Sequence, residues 1–396
     1  MGLFSDDNSG GIFSGSSNHT CPATSLDEDS TVLVVGNFTF YEINRIVSGA
    51  FTAATCVTIF TLMAMHSINM TKSNEQVKIM KICLMIPLYS LISFLSVYFP
   101  KAAVYLGPWQ DFYESLAMGY FFLLLGVFIS PSDQQRDLFF AAFRVPQKKN
   151  EDSPINGIEW YRKRWIAIFQ YPIVALGVAV ATAITQAVGI YCEESNKPYF
   201  AHLWIEIISN VSLGLCLTSI LAFYTALKKN LVGHHPLTKL LAFKLLIGLS
   251  FLESIIFLIL TSTNALHATA TMTYADVKVG IPNLLICVQT LLFSLFFHYA
   301  YKVSPYRTQS KEAILIPSHE GQYGPGDNYN QLPPSYNQSR MSAGRAWLAM
   351  LDPREILSAI KFMFTMRSEA EMGTSYDGGY GGNTGLEPLR RNRYSY

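Results

Sequence analysis

Charged residues are scarce in this chain. They make up only 14% of its 396 residues, whereas hydrophobic residues make up 50%. Soluble domains carry about 25% charged residues, so the shortage argues against a soluble protein. The net charge of +1 gives no sign of a basic surface, and we expect no nucleic-acid partner. Residues 1–31 lack the basic and apolar segments of a cleavable signal peptide, so targeting falls to the first membrane helix.

Motifs for common catalytic chemistry are missing as well. The chain has no Walker A loop, no HExxH, no GxSxG and no Gly-rich dinucleotide turn. Its six cysteines show neither CxxC nor CxxH spacing, which is the spacing of metal sites. We therefore expect a protein that is not an enzyme and that holds neither a cofactor nor a metal.

Long apolar runs are what the chain does have. A membrane-spanning helix needs roughly 20 apolar residues to cross a hydrocarbon core of about 30 Å. The segments that meet or approach this length are 44–66, 79–99, 112–130, 165–190, 203–227, 240–262 and 278–300. They predict an all-α, polytopic membrane protein with a seven-transmembrane helix bundle at 44–306. Soluble, disordered tails precede it at 1–43 and follow it at 307–396.

The distribution of Lys and Arg predicts the orientation of this bundle. Positive residues are enriched in short cytoplasmic loops. The basic connections hold Lys72, Lys78 and Lys81, then Arg136, Arg144, Lys148, Lys149, Arg162, Lys163 and Arg164, then Lys228, Lys229 and Lys239. The other connections hold Lys101, Lys197 and Lys278, with Arg45 at the first boundary. An extracytoplasmic N-terminus and a cytoplasmic C-terminus follow.

Further features agree with that orientation. Asn18 and Asn37 begin glycosylation sequons in the N-terminal segment. Cys21 and Cys192 fall outside the membrane, where oxidation is permitted, so they form either a disulfide or two free thiols. The remaining cysteines lie within spans and read as small buried hydrophobes. An aromatic and basic anchor is expected where the fourth span leaves the cytosol, at Trp160, Tyr161 and Trp165 with the basic residues between them.

Two cytoplasmic segments are predicted to be amphipathic helices. A short one begins at Pro131-Ser132-Asp133, and its Leu138, Phe139, Phe140 and Phe143 are expected to lie on the inner membrane surface. The second covers residues 346–366, where Asp352 caps the helix and Pro353 takes its first position. This helix either lies on the inner leaflet or docks against the bundle, and the sequence favours neither.

A short motif in the tail predicts a protein partner. Leu332-Pro333-Pro334-Ser335-Tyr336 is a PPxY motif, in which prolines preset a polyproline II turn and the Tyr ring enters an aromatic groove of a WW domain. We expect Pro333, Pro334 and Tyr336 to recruit a WW-domain ubiquitin ligase that controls sorting. The alternative is a solvated linker.

Polar residues within the spans are the first candidates for function, because burying them in lipid is costly. Glu114 is expected about one turn inside the third span, which is the shortest. Glu253 lies deepest, in the sixth span, and Gln289 reaches a comparable depth in the seventh. Lys244 lies near the cytosolic end of the sixth span and can snorkel to the interface. Pro87 and Pro172 can kink the second and fourth spans.

Four stretches resemble a known family. They are Ile86-Pro87-Leu88-Tyr89-Ser90, Asp111-Phe112-Tyr113-Glu114, the sixth-span residues Phe243-Lys244 with Leu249-Ser250-Phe251 behind Pro236, and Asn283 to Gln289 with His298-Tyr299-Ala300-Tyr301 and Pro305-Tyr306. Over residues 44–306 the chain resembles the organic solute transporter alpha family, which includes the transmembrane-184 proteins. The long PPxY-bearing tail suggests a fungal-type member.

The resemblance implies transport, or facilitated movement, of amphipathic organic solutes such as steroid-like or lipid-like molecules. Vacuolar, endosomal or plasma membranes are the implied locations. The implied partners are membrane lipids and a small single-span subunit or a second copy of the chain. The resemblance and the depth of polar residues within the spans together mark nine residues for substrate handling or transport. They are Asp111, Tyr113, Glu114, Tyr89, Lys244, Glu253, Asn283, Gln289 and His298.

Departures from the family pattern sharpen one expectation. Gln110 stands where the family's signature has Arg, so any ion pair made by that Arg is lost. Glu253 falls where the family has Gln, and Gln289 falls where it has Glu. We expect a protonated Glu253 to hydrogen bond with Gln289 between the sixth and seventh spans. Two other functions stay open, a seven-span receptor or a scaffold that brings a ubiquitin ligase to the membrane.

Overall fold

The computed structural model describes most of the chain between residues 32 and 376. The described ranges are 21, 26, 32–130, 132–144, 156–195, 197–231, 265–307 and 341–376, with isolated positions at 238–239, 248–249, 252–253, 255–257, 259–261 and 263. The side chains of 133, 134 and 367–376 are outside this description. The PPxY motif, Asn18 and Lys244 also lie outside the described residues.

The described chain is almost entirely helical. A hairpin of β1 (Leu33–Val35) and β2 (Phe38–Thr39) precedes the first long helix. The membrane helices are α1 (Phe40–Ile68), α2 (Ser73–Cys83), α3 (Met85–Tyr98), α4 (Ala103–Ile129), α6 (Gly157–Val188), α7 (Ala201–Leu227) and α8 (Ile281–Ala300). Short helical turns at Pro100–Ala102 and Asp276–Gly280 lead into α4 and α8. The shorter or peripheral helices are α5 (Asp133–Ala142), α9 (Ala343–Leu351) and α10 (Arg354–Tyr376).

Six helical segments of the described residues are long and apolar enough to cross a membrane. They are Phe40–Ile68, Ser73–Tyr98, Pro100–Ile129, Gly157–Val188, Ala201–Leu227 and Asp276–Arg307. The predicted polytopic all-α membrane fold is confirmed. The predicted span at 240–262 falls mostly outside the described residues, so a seventh span stays a prediction.

The third span differs from the prediction in its start and its length. It begins at Pro100 instead of 112, and at 30 residues it is not the shortest. Gly107 and Pro108 lie inside α4, where the proline has no N–H to donate to the carbonyl of Val104 and the helix nevertheless continues to Ile129. Glu114 consequently lies roughly 16 Å along the helix from Ala103, since each residue adds about 1.5 Å. The prediction of one turn inside the span was wrong.

Proline affects the second and fourth spans differently. The second span breaks at Leu84, between α2 and α3, three residues before Pro87. Pro87 has no N–H to donate to the carbonyl of Cys83, which is where α2 ends. Pro172, in contrast, lies inside α6, which continues unbroken from Gly157 to Val188.

The two ends of α1 define two ends of the bundle. At its start, Thr39 and Glu42 form a reciprocal capping box, which explains why the helix begins directly after the hairpin. The Cys21–Cys192 disulfide and the Lys278–Glu194 ion pair belong to this end, which we call the disulfide end. At the other end of α1, the imidazole Nε2 of His66 lies 3.0 Å from the carbonyl oxygen of Tyr301. The C-terminal helices pack there, and we call it the tail end.

The expected aromatic anchor of the fourth span is part of the core instead. Trp160, Tyr161 and Trp165 are only 7%, 6% and 5% exposed, so they do not face a lipid interface. The reason is that α5 covers them: the ring of Phe140 stacks on Tyr161 with 4.1 Å between centroids. The α5 helix therefore packs its Phe140 face on the bundle, and its Leu138 remains 67% exposed.

The tail forms two helices where the sequence predicts one at 346–366. They meet at Asp352, whose Oδ1 accepts a hydrogen bond of 3.0 Å from the backbone N–H of Arg354, so Asp352 caps α10. Both helices dock on the bundle, because Ile356 is 3% exposed. The outward apolar side chains of these helices are Leu348, Leu351, Leu357 and Phe364. Docking is therefore observed, and an apolar outer face remains beside it.

Candidate functional site

Two carboxyl groups lie side by side in the interior of α4. Asp111 and Glu114 are three residues apart, which places them on the same face of the helix. Asp111 is half-buried, and Glu114 is only 3% exposed. A carboxyl group buried within a membrane helix is rare and costly, so this pair is the first candidate for a functional site.

Side chains from α6 and α7 complete the surroundings of the pair. The hydroxyl of Tyr171 on α6 lies beside the Glu114 carboxyl group, and the thiol of Cys216 on α7 lies within electrostatic range of it. Glu206, in the second turn of α7, interacts in the same way with Asp111. Because α6 packs against both α4 and α7, acids and phenols from three helices come together in one acidic site.

One oxygen of Glu114 has no hydrogen-bond partner. Its Oε1 atom is buried and receives no hydrogen bond. Leaving a buried acceptor unpaired costs about 1–3 kcal/mol, and more if the group is charged. Glu114 Oε1 can therefore accept a proton or a hydrogen bond from a further donor.

Gln110 does not supply the missing donor. Its Nε2 donates to the backbone oxygen of Tyr89 at 3.1 Å and to the hydroxyl of Ser93 at 2.8 Å, both on α3. The side chain therefore holds α4 against α3, and its amide donors are engaged there. Gln110 therefore carries a neutral amide whose donors bind α3, where the family's signature has an Arg.

The expected carboxyl–amide pair between the sixth and seventh spans is not observed. Gln289 on α8 is 9% exposed, and its Oε1 has no hydrogen-bond partner. Glu253 is half-buried at its described position and does not bond to that oxygen. The sequence predicts that Glu253 and Gln289 lie at a similar depth in the membrane. Whether their side chains meet depends also on how each helix is rotated about its own axis.

The other predicted site residues of α8 make local contacts. Asn283 donates through Nδ2 to the backbone oxygen of Val279 at 2.9 Å, and Nδ1 of His298 lies 3.1 Å from that of Ser294. Tyr113 is half-buried on α4, and Tyr89 is buried on α3. The structure brings Asp111 and Glu114 together, and Tyr89 lies within electrostatic range of Tyr171 beside them. The contacts described for Asn283 and His298 do not join those residues to this cluster.

Tyr171 and Cys216 are site residues that the sequence reasoning missed. Each is a single polar or soft group in a long apolar helix, where phenols and thiols are common core residues. A usable signal was the position of Tyr171, a phenol at a membrane-interior depth directly before Pro172. Among the described residues, no group of three or more His, Cys, Asp or Glu side chains is placed to hold a metal ion.

A second polar region lies at the tail end. A cavity of about 310 Å³ is lined by residues of α2, α9 and α10, among them Lys78, Lys81 and Glu355. The two ammonium groups are buried, and both approach the carboxylate of Glu355, at 2.5 Å and 3.5 Å. The Nζ of Lys81 also donates to the backbone oxygen of Asp352 at 2.8 Å. This region therefore fixes the tail on the bundle through charge.

Sequence comparison places the chain in a family. The family described as organic solute transporter Ostalpha matches residues 44–306, which is most of the chain and all of the described membrane helices. The chain belongs to this family. The match includes Asp111 and Glu114, and it ends before the two tail helices.

Several curated proteins are similar to the chain. Vacuole membrane protein hfl11 of Schizosaccharomyces pombe is 26% identical over 261 residues, covering 64% of this chain and 59% of the relative. A Transmembrane protein 184 homolog of Dictyostelium discoideum is 23% identical over 292 residues, covering 70% and 55%. Protein LAZ1 of Arabidopsis thaliana is 26% identical over 282 residues, covering 66% and 58%. The chain thus spans less than two thirds of the length of these relatives. No solved structure matches it significantly.

Proposed function

We propose that this protein moves amphipathic organic solutes, such as steroid-like or lipid-like molecules, across its membrane. Membership in a solute transporter family supports transport. The observation that carries the proposal is the buried acidic site of α4, α6 and α7, because intramembrane carboxyl groups mark substrate and ion pathways. The amphipathic class of solute rests on the family likeness.

The geometry suggests how such a site works. Asp111 and Glu114 lie near the middle of the bundle, between helices that come from different parts of the chain. A solute that enters between α4 and α7 meets a mainly apolar wall with a few polar groups, which is the usual character of a small-molecule site. Its polar end would replace the donor that Glu114 Oε1 lacks.

Uptake by reconstituted protein tests this function. The full-length chain is placed in liposomes, and uptake of radiolabelled cholesterol and of a radiolabelled steroid sulfate is measured against empty liposomes. We expect uptake by the wild type of at least one probe, and a loss of about tenfold in Glu114→Gln, which corresponds to about 1.4 kcal/mol. The matched control is Glu159→Gln, whose side chain is 58% exposed and pairs with Lys163. Absence of uptake of both probes by the wild type contradicts the proposal.

A sorting role of the tail is a second function that a specific feature favours. We propose that Pro333, Pro334 and Tyr336 recruit a WW-domain ubiquitin ligase, because PPxY is the motif that such domains bind. The name of one relative, a vacuole membrane protein, supports residence in a vacuolar or endosomal membrane. Tyr336→Ala should abolish ubiquitination and leave uptake in liposomes unchanged, whereas Tyr329→Ala should alter neither.

A further inference from the structure

Three carboxyl groups form a row with increasing burial. Glu206 is exposed on α7, Asp111 is half-buried on α4, and Glu114 is 3% exposed one turn deeper on the same helix. Each interacts with the next: Glu206 with Asp111, and Asp111 with Glu114. The row begins in the second turn of α7, near the disulfide end, and leads toward the middle of the bundle.

Among the described residues, the groups that face this row are acids, phenols, a thiol, an amide and the imidazole of His202, which lies one turn before Glu206 on α7. On α6, the hydroxyl of Tyr171 meets Glu114. The loop after α6 contributes Tyr191, which lies within electrostatic range of Asp111 and Glu206. On α7, Asn210 donates through Nδ2 to Oε2 of Glu206 at 3.2 Å. The remaining titratable neighbours are Cys216, which faces Glu114, and Tyr89, which faces Tyr171.

Basic side chains contact α4 at a different level. Lys81 lies over the ring of Tyr120 at 4.6 Å, Lys239 lies over the ring of Phe128 at 4.5 Å, and Arg136 lies beside Gly126. Tyr120 is six residues beyond Glu114, or about 9 Å farther along the helix. Lys81 is moreover paired with Glu355. At the other end, Lys101 is exposed before the start of α4. The described cations therefore lie at other levels of the helix than the carboxyl pair.

Two carboxylates in this position cannot both be ionised at low cost. Like charges at a shared buried site favour protonation of one of them. A proton also supplies what the structure lacks, since a protonated Glu114 carries an O–H donor and needs fewer hydrogen bonds than a carboxylate. Because Glu114 is 3% exposed, it does not exchange protons with bulk water directly, and a neighbouring carboxyl group is the route by which a proton can reach it.

We propose that Glu206, Asp111 and Glu114 form a proton path, and that the Asp111–Glu114 pair holds one exchangeable proton whose movement is coupled to solute movement. In the transfer, the O–H bond of Glu114 breaks and the proton bonds to a carboxylate oxygen of Asp111. It passes to Glu206 and then to water at the disulfide end, and charge is conserved in each step. The coupling to solute rests on the proposed function, whereas the proton site does not.

Infrared spectroscopy of the full-length protein in lipid tests the proton site directly. A protonated carboxyl group has a C=O stretching band that a carboxylate lacks. Ordinary Asp and Glu are ionised above about pH 5, so a band that remains at neutral pH reports a buried proton. We expect such a band in the wild type, its loss at alkaline pH, and its absence in Glu114→Gln at neutral pH.

The variant Asp111→Asn keeps the test decisive if Glu114→Gln fails to fold. Without the neighbouring charge, Glu114 ionises more readily, so the band should disappear at a pH at least about one unit lower than in the wild type. Glu159→Gln, on the exposed surface of α6, should leave the band unchanged. A wild type without the band at neutral pH, or a band that both site variants retain unchanged, overturns the proposal.

A pH gradient across the same liposomes tests the coupling. In the wild type, we expect an applied gradient to change the initial rate of uptake of cholesterol or of the steroid sulfate at least about threefold. In Glu206→Gln, we expect the gradient not to change this rate, because the variant interrupts the path at its exposed end. Uptake that ignores the gradient in a wild type with the band overturns the coupling and leaves the proton site standing. Absence of uptake contradicts the proposed function and therefore also the coupling. The proton site is then still decided by the infrared band of the protonated carboxyl group.

Discussion

The indole Nε1 of Trp165 on α6 donates a hydrogen bond of 3.0 Å to the backbone oxygen of Ala359 on α10. The two residues are 194 positions apart, and Trp165 is 5% exposed. The ring of Phe362 meets Trp165 edge to face, with 5.4 Å between centroids. A helix of the C-terminal tail is thus part of the bundle's packed surface, although the family match ends at residue 306.

Replacing Ile356 should release this helix from the bundle. Ile356 is 3% exposed, and its Cδ1 lies against Gly119 of α4. Ile356→Asp places an unpaired charge in that contact, so we expect hydrogen–deuterium exchange in residues 354–366 to become at least about tenfold faster. The neighbouring Leu357 is 57% exposed, and Leu357→Asp is the matched control that should retain slow exchange. Equal exchange in both variants would contradict the observed docking.

Neutralising Glu355 should destabilise the tail end. Its carboxylate lies between Lys78 and Lys81, whose side chains are 5% and 4% exposed, so the change leaves two buried ammonium groups with fewer partners. Because Glu355 itself is 34% exposed and water screens it, we expect Glu355→Gln to cost about 1–3 kcal/mol. A lower melting temperature of the detergent-solubilised protein measures this.

The paired control for Glu355 is the exposed ion pair on α6. Glu159 and Lys163 are 58% and 70% exposed, and such pairs contribute little. Glu159→Gln should therefore leave the melting temperature almost unchanged. A double change of Lys78 and Glu355 to Met and Leu should recover part of the loss, since no buried charge then remains unpaired at Lys78. Equal melting temperatures of Glu355→Gln and Glu159→Gln would contradict a stabilising role of Glu355 between Lys78 and Lys81.

Some of this structure could be predicted from the sequence, and the reasons for success are physical. A bilayer sets a minimum length for an apolar helix, so runs such as 44–66 and 203–227 are recognisable without any tertiary information. The start of α4 was misplaced because Gly107, Gln110 and Asp111 lower the local hydropathy. Hydropathy reports average polarity, and it cannot tell that a helix buries its polar side chains against its neighbours.

Contacts between distant segments were the part that could not be predicted. Trp160 reads equally well as a lipid-interface anchor or as a core residue until the positions of α5 and α10 are known. Tyr171 became a site residue only because α6 packs against α4, and no local pattern links it to Glu114. The failed Glu253–Gln289 pair has the same cause, because depth along a helix does not determine which way a side chain faces.

Acid should weaken the contact between Glu194 and Lys278 at the disulfide end. Burial raises the pKa of Glu194, but the hydrogen bonds from Lys278 and Tyr274 and the charge of Lys278 outweigh it, so the pKa is lowered. A depressed folded-state pKa gives stability that is present above the unfolded value of about 4.3 and is lost as pH falls through the folded value. We expect the hydrogen–deuterium protection factors of residues 191–195, which are corrected for the intrinsic pH dependence of amide exchange, to fall below about pH 4.

The variant Glu194→Gln separates this contact from general acid effects. It should show the faster exchange already at neutral pH and little further change in acid, because no carboxylate remains to be protonated at this position. Glu193→Gln is the neighbouring control. A wild type whose protection factors in 191–195 stay constant down to about pH 3 would show that the 2.9 Å ion pair does not stabilise the loop.

The disulfide offers a test of the predicted orientation. Cys21 and Cys192 are bonded in the structure, and disulfides persist in oxidising compartments. An extracytoplasmic N-terminus predicts which preparation lets a membrane-impermeant reductant reach this bond. If the protein is in the plasma membrane, the reductant should reach the bond in intact cells. If the protein is in the vacuolar membrane, the reductant should reach the bond in inverted vacuolar vesicles. New thiols are then detected by maleimide labelling, with the double variant Cys21→Ser/Cys192→Ser as the unlabelled control. Reduction only from the cytoplasmic face would reverse the orientation.

The hydroxyl of Tyr171 should tune the carboxyl group of Glu114. Because this hydroxyl lies beside the carboxyl group and can donate to it, Tyr171→Phe removes a donor and leaves the volume of the side chain almost unchanged. A C=O group that loses a hydrogen bond vibrates at higher frequency, so we expect the infrared band assigned to protonated Glu114 to shift upward. Tyr113→Phe, next to Glu114 but in contact with Phe112, should leave the band in place. An unshifted band in Tyr171→Phe would mean that the phenol does not bond to the protonated carboxyl group of Glu114.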